Sequence, residues 1–295
     1  MKVIHVLNSR AIEKSVADED GLSFFLSNST GGFAHFAAAA AATSKYQGLF
    51  TKVGNGIFKV IEGIKAISEE RISAVENTGY GAVFYRGSFY ETFFMPQKRN
   101  CLVYQLSREL PVELFLDVRL ADDFREWGRH YSVAEASDSI VVIRFTKKTD
   151  SRENGSSGNS EYDLYVAIRH DGFVISRSSE WVKREYSLDA KRSSARERYV
   201  YKAVTITARK FVIAAAGTAE AAVKEADSVF KSTNKLKKEA KSHYGRLCTF
   251  SAKPDGRNWE TAMAANAAAI AIDKLKSDSG LYAGLPWFSK EWSRD

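Results

Sequence analysis

The segment Gly284-Leu285-Pro286-Trp287-Phe288, followed by Trp292, Arg294 and Asp295, holds a set of residues suited to handling a sugar. Tryptophan faces stack on the apolar faces of pyranose rings and remove both from water. Arginine and aspartate add charge-assisted hydrogen bonds to hydroxyls, which are stronger than neutral ones. Two arrangements fit this mix. One is a sugar pocket, the other a buried aromatic cluster closing a helix–loop junction.

Other chemistry finds little footing. His5, His35, His130, His170 and His243 are scattered, with no HxxxH or HExxH spacing, so no metal site is expected. Cys101 and Cys248 form no CxxC and sit in no His-rich cluster, which argues against a thiolate zinc site or a disulfide framework. No G-x-S-x-G, P-loop or GxGxxG occurs, and no cofactor is expected. Asn28-Ser29-Thr30-Gly31-Gly32 has two glycines that could cradle phosphate, but without the rest of a P-loop it reads as a tight turn. Glu69-Glu70 and Asp122-Asp123 are sequence neighbours, whose side chains point apart on a strand, so they read as surface acids.

These residues need elements to position them. The 295 residues are 44% hydrophobic, enough for a sizeable core. No stretch of about 18 apolar residues occurs, and the N-terminus lacks the apolar run of a signal peptide. A soluble protein of the reducing cytoplasm is expected, with no membrane partner. The net charge is +7. Its dense basic block, Lys231, Lys235, Lys237, Lys238, Lys241 and Arg246, is spaced as the solvated face of a helix. No RNA-binding aromatic signature accompanies it, so nucleic acid is not an expected partner.

Strand patterns dominate up to Gly217. They include GAVFYRGSFYETFFM, LPVELFLDVRL, Ser139 to Phe145, Tyr162 to Arg169 and Tyr199 to Gly217. Asp171-Gly172 signals a turn after the fourth of these, with FVIS as a return strand. Thr146 to Glu161 is polar and Gly/Ser-rich and reads as a mobile loop. From Thr218 the period becomes helical. Thr218 can cap, Glu220 falls in the first turn, and Ala219, Ala222, Val223, Ala226, Val229 and Phe230 form one stripe. A second helix is expected over 258–276. The class is therefore mainly β: an antiparallel β-sandwich over 1–217, then helices to the end.

Two segments resemble a known family. AGLPWFSKEWSRD (Ala283 to Asp295) resembles the AGYPWF-x-x-W-G-R-D signature of archaeal and bacterial glycogen debranching enzymes of the amylo-α-1,6-glucosidase type. LSNSTGGFAHFAAAAAATSKYQGLF (Leu26 to Phe50) resembles that family's N-terminal pattern LTNGLGGYASGT…NTRRYHGLLVA. Asn28, Gly31, Gly32, Ala34, Thr43, Tyr46, Gly48 and Leu49 match it, with Phe33 in place of Tyr. Leu110 to Glu126 fits loosely a family strand that precedes an acidic stretch. Ser44 and Lys45 replace Arg-Arg, Gln47 replaces His, and Ser293 replaces the Gly before Arg-Asp.

The resemblance implies an N-terminal β-sandwich over 1–217, a helical linker over 218–256 and the truncated start of a glucoamylase-like (α/α)6 barrel over 257–295. The substrate would be glycogen or a related α-glucan, cut at α-1,6 branches by a carboxyl acid and a carboxylate base. Both would lie beyond the matched region, so the chain alone is expected to be inactive, with a separate catalytic-barrel polypeptide as a possible partner. Arg294 and Asp295 would hold hydroxyls of the glucosyl unit, and Trp287 and Trp292 would shape its pocket. The alternative is a non-catalytic carbohydrate-binding or regulatory relative.

Overall fold

A computed structural model describes residues 3–6, 23–38, 43–148, 161–191, 197–249, 258–277, 280–286 and 288–291. The chain is mainly β. The strands are β1 (Val3–Val6), β2 (Ser23–Ser27), β3 (Phe33–Ala37), β4 (Gly48–Val53), β5 (Gly56–Ala66), β6 (Ala74–Asn77), β7 (Gly81–Tyr85) and β8 (Tyr90–Phe94). They continue with β9 (Cys101–Leu120), β10 (Arg129–Ser137), β11 (Ile140–Lys147), β12 (Tyr162–His170), β13 (Phe173–Glu185) and β14 (Glu197–Ala216). All of these pair antiparallel in a single 14-stranded sheet.

The two longest strands, β9 and β14, organise everything else. Their Cys101–Gln105 and Lys210–Ala214 portions pair within the arm β1-β6-β7-β8-β9-β14-β12-β11-β10. Their Leu110–Leu116 and Tyr201–Ala208 portions pair within a second arm that runs β2-β3-β4-β5-β9-β14-β13. Ser107, Arg108 and Glu109 are exposed where the register shifts at Ala208/Lys210, and bulges of this kind bend strands. The two arms face each other across one core. Phe24 of β2 lies 4.7 Å from Phe93 of β8 and 5.2 Å from Phe84 of β7, ring centre to ring centre. Leu114, Leu116 and Val118 alternate into that core, as period-two strands require.

Asp171-Gly172 is a turn, but not a hairpin. β12 pairs with Phe211–Ala216 of β14, and β13 pairs with Glu197–Thr207 of the same strand. FVIS therefore continues along β14 in the direction of β12 instead of returning on it. The reason is the β14 bulge. The Asp171 carboxylate accepts hydrogen bonds from the Arg209 and Lys210 amides at 3.0 and 2.9 Å, anchoring the step from one arm to the other.

Helices follow where the period changes. After α1 (Ser187–Lys191) come α2 (Ala219–Leu247) and α3 (Trp259–Leu275). Thr218 caps α2, its hydroxyl accepting from the Ala221 amide at 3.2 Å. Ala222, Ala226 and Val229 of α2 bury against Cys101, Val103, Val212 and Ala214 on the outer face of the first arm. Most of the basic block faces water, but Lys237 turns back to hydrogen-bond the Gln105 amide oxygen. Helices do not continue to the end. Beyond α3 a hairpin forms, β15 (Tyr282–Gly284) with β16 (Phe288–Glu291). Tyr282 and Leu285 find an apolar patch on the second arm, and that patch accommodates a strand. Thr146 and Lys147 belong to β11, and residues 149–160 of the expected loop lie outside the described residues. No described helix is long and apolar enough to cross a membrane.

Candidate functional site

Trp287, Trp292, Arg294 and Asp295 lie outside the described residues. What is described is the ground on which their segment starts. Tyr282 and Leu285 are buried with Phe33, Phe50 and Ile57, and the Phe33 and Phe50 rings stack at 4.4 Å. Gly31, with a φ of +100°, presses directly on Tyr282, where an added Cβ would fall 2.4 Å from the phenol oxygen. Only glycine takes both that backbone and that approach. The first motif segment thus meets the start of the second, through Leu285 within it and Tyr282 one residue before it.

The 28–32 turn is built from one buried asparagine. Asn28 Oδ1 accepts from the amides of Thr30 and Gly32 at 3.0 and 2.9 Å, while its Nδ2 donates to the Arg99 carbonyl at 3.0 Å. Those two amides are spent on Asn28, so they are not presented to a phosphate. Ser29 Oγ reaches out and donates to Asp273 Oδ2 of α3 at 3.0 Å. His243 Nε2 of α2 contacts the same oxygen at 3.0 Å, and Lys276 Nζ holds the other oxygen at 3.0 Å. Serine and histidine both address the aspartate and not each other, so this is a clamp and not a nucleophile–base relay. Burial raises the Asp273 carboxyl, and its partners, His243 first, more than offset this and leave it below its ordinary value. Next to it, Lys274 donates to the Phe25 carbonyl at 2.7 Å, and burial pushes it down to about 8.

A second constellation lies on the outer face of the second arm. Asp117 of β9 is fully buried and receives Arg198 Nε at 2.8 Å, Arg119 Nε at 2.9 Å and Arg129 Nη1 at 3.3 Å, with Lys59 Nζ at 3.8 Å. Burial pushes this carboxyl up, but the charges of Arg119, Arg198, Lys59 and Arg129 outweigh it and hold it well below the usual carboxylate range. Burial lowers Lys59, with Glu62 and Asp117 opposing.

The cations also reach the loops above them. Lys59 Nζ and Arg119 Nη2 both donate to the Lys45 carbonyl, at 2.9 and 3.0 Å, and Arg198 Nη1 donates to that of Phe124 at 2.9 Å. The covering loop 43–47 is held in turn by Asp189 of α1, which accepts from Ser44 Oγ and the Lys45 amide at 2.8 Å each. Gly48 closes the loop with a φ of +122°, and a Cβ there would strike the Ile61 carbonyl at 2.1 Å.

Sequence reading did not single out Asp117, Lys59, Arg119 or Arg198. A signal was present: Asp117 and Arg119 interrupt the apolar LFLDVRL at alternate positions, which puts two charges on one face of a central strand. One member of each acidic pair has a structural partner. Glu70 accepts from the Ser88 amide at 2.6 Å and pairs with Arg108, and Asp123 pairs with Arg125 at 2.7 Å. Among the described residues, no group of three or more His, Cys, Asp or Glu side chains could hold a metal. No protein-family model matches this chain, and no curated protein matches it.

Proposed function

We propose that this chain supplies the N-terminal β domain, and the start of the (α/α)6 catalytic barrel, of a glycoside hydrolase of the glycogen-debranching, amylo-α-1,6-glucosidase type. Its substrate is a branched α-glucan. The observation that supports this reading is that the start of the second motif segment sits on the first: Leu285 is buried with Phe33 and Phe50, and Tyr282, one residue before the motif, lies against Gly31. A sugar-handling loop needs a rigid base, and a buried aromatic cluster that includes Leu285, plus the Ser29–Asp273–His243 clamp, is such a base. On this reading Trp287, Trp292, Arg294 and Asp295 line the glucosyl pocket, and the acid and base of hydrolysis come from outside the matched segments.

Native gel electrophoresis through glycogen tests it. The chain should be retarded by glycogen at low and high salt alike, because a neutral polymer releases no counterions, whereas a nucleic-acid binder would lose affinity steeply. The chain alone should release no glucose from branched glucan. Absence of retardation by every α-glucan would remove the reading. Retardation that persists when a barrel polypeptide fails to restore turnover would favour a non-catalytic carbohydrate-binding role.

A further inference from the structure

A cavity of about 430 Å³ opens where the β6–β7 turn, the C-terminal end of α2 and α3 meet, lined by Glu76, Tyr80, Lys241, Tyr244, Cys248 and Ile270 among others. Small-molecule pockets have this size, about 300–1,000 Å³. The α2 wall is one helical stripe, with Lys241, Tyr244, Gly245 and Cys248 at i, i+3, i+4 and i+7. Its apolar walls are held in place. The Tyr80 and Tyr244 rings lie 6.1 Å apart, centre to centre, and Gln97 Nε2 donates to Tyr244 Oη at 3.3 Å. The 78–81 turn is tied by the Thr78 amide to the Gly81 carbonyl and by the Gly79 amide to Asn77 Oδ1, at 2.9 Å each. Gly79 seats that turn on Ile270 and Tyr244, where an added Cβ would stand 3.5 and 3.6 Å from their side chains. Gly245 behaves differently: a Cβ there would meet nothing within 4 Å. Glycine weakens a helix relative to alanine, and no neighbour requires it at this position, so its effect is to leave the wall open.

We infer that this cavity binds a small aromatic carboxylate, its ring against Tyr80, Tyr244 and Ile270 and its carboxylate at the Lys241 ammonium. Two aromatic rings and an isoleucine select an apolar body. The accessible charge selects the other end. Lys241 is exposed, and its helix neighbours three and four residues away are Lys237, Lys238, Tyr244 and Gly245, so α2 places no carboxylate beside it. Glu76 also lines the cavity, but it is 7% exposed and its Oε2 accepts from the Tyr85 hydroxyl at 2.6 Å. A cation at the rim of an apolar chamber favours a ligand that is apolar at one end and anionic at the other. The site does not rest on the glucan reading.

Cys248 supplies a local reporter. It is partly exposed and lines the cavity, whereas Cys101 is 0% exposed. The test follows alkylation of Cys248 in the full chain by iodoacetamide, read by mass spectrometry, with indole-3-acetate, indole and tryptamine as probes. Indole-3-acetate should slow alkylation severalfold, with half-protection on the order of 0.1–1 mM, as the binding energy per atom of a small ligand allows. Indole should protect less, because it lacks the carboxylate, and tryptamine least, because its ammonium meets Lys241. Lys241→Gln should raise the half-protecting concentration of indole-3-acetate about two- to fivefold, the range of an exposed ion pair, and leave that of indole unchanged. Gly245→Leu should fill the chamber without a clash, so its melting temperature should hold or rise while protection by indole-3-acetate and indole is lost. Absence of protection in the wild type would overturn the site. So would tryptamine protecting as well as indole-3-acetate, an unchanged half-protecting concentration in Lys241→Gln, or full protection in a folded Gly245→Leu.

Discussion

The outer faces of the two arms are covered in opposite ways, although β9 and β14 run through both. On the first arm, Cys101, Val103, Val212 and Ala214 are roofed by Ala222, Ala226 and Val229 of α2. On the second, Asp117, Arg119, Arg198 and Lys59 are roofed by loops. The difference follows from what each roof brings. A helix satisfies its own backbone internally and needs only apolar contact beneath it. A loop brings carbonyls that are not paired, and buried ones must find donors. Lys59, Arg119 and Arg198 provide them at Lys45 and Phe124, and Asp117, together with Glu62 on Lys59 and Glu126 on Arg198, offsets the charge that these donors carry.

The largest expected effect comes from removing that balance. Asp117→Ala removes the carboxylate shared by Arg119, Arg198, Arg129 and Lys59 and leaves only Glu62 and Glu126 beside them, and breaking a buried pair of this kind costs about 3–5 kcal/mol. Urea unfolding followed by circular dichroism reads it. A loss below about 1 kcal/mol would mean that water screens the network, and the contrast between a dry apolar roof and a dry charged one would fail.

Acid acts next, in two steps that both lie on the second arm. His35 of β3 hydrogen-bonds Ser23 Oγ at 2.9 Å, and burial pushes it down to about 4. The unfolded imidazole takes its proton near pH 6.5, before the folded one does, so stability is complete above that pH. It falls as pH drops toward 4, and this group contributes nothing further below. The loss approaches about 3 kcal/mol as an upper bound. Asp117 acts later, because a depressed carboxyl withdraws its stabilisation only as pH falls through and below the ordinary carboxylate range. His35→Gln should flatten the first step and leave the second. Urea midpoints at a series of pH values distinguish the two, and an unchanged first step in the variant would assign it elsewhere.

The helix-covered face was the more legible one in the sequence. Thr218, Glu220 and the Ala222–Ala226–Val229 stripe announce a capped amphipathic helix, and the second helix, expected over 258–276, spans Trp259–Leu275. Strand patterns likewise place β11, β12 and β14. The loop-covered face was not legible in the same way. Its partners Lys59, Asp117 and Arg198 come from three strands, and only pairing register brings them together. Asp171-Gly172 misled for a related reason: the dipeptide specifies a turn, whereas the bulge that decides where the next strand goes belongs to β14. The β15–β16 hairpin was missed because its cue, an apolar patch made by Phe33 and Phe50, is tertiary.

The smallest effect tests the helix-covered face itself. Thr218→Ala removes the hydroxyl that accepts the Ala221 amide, a cap worth about 1 kcal/mol. Thr218→Ser should retain most of it, since serine caps at least as well. If burial of Ala222, Ala226 and Val229 is what holds α2 down, the damage stays local. Amide exchange should speed up in the first turn only, while protection around Val229 and Thr233 persists, the melting temperature falls by a few degrees, and the remaining turns stay docked. Loss of protection along the whole of α2 would show instead that the cap nucleates the helix and that the apolar roof contributes little by itself. The two outer faces would then be alike in depending on a few polar contacts, and the contrast between them would be one of composition alone.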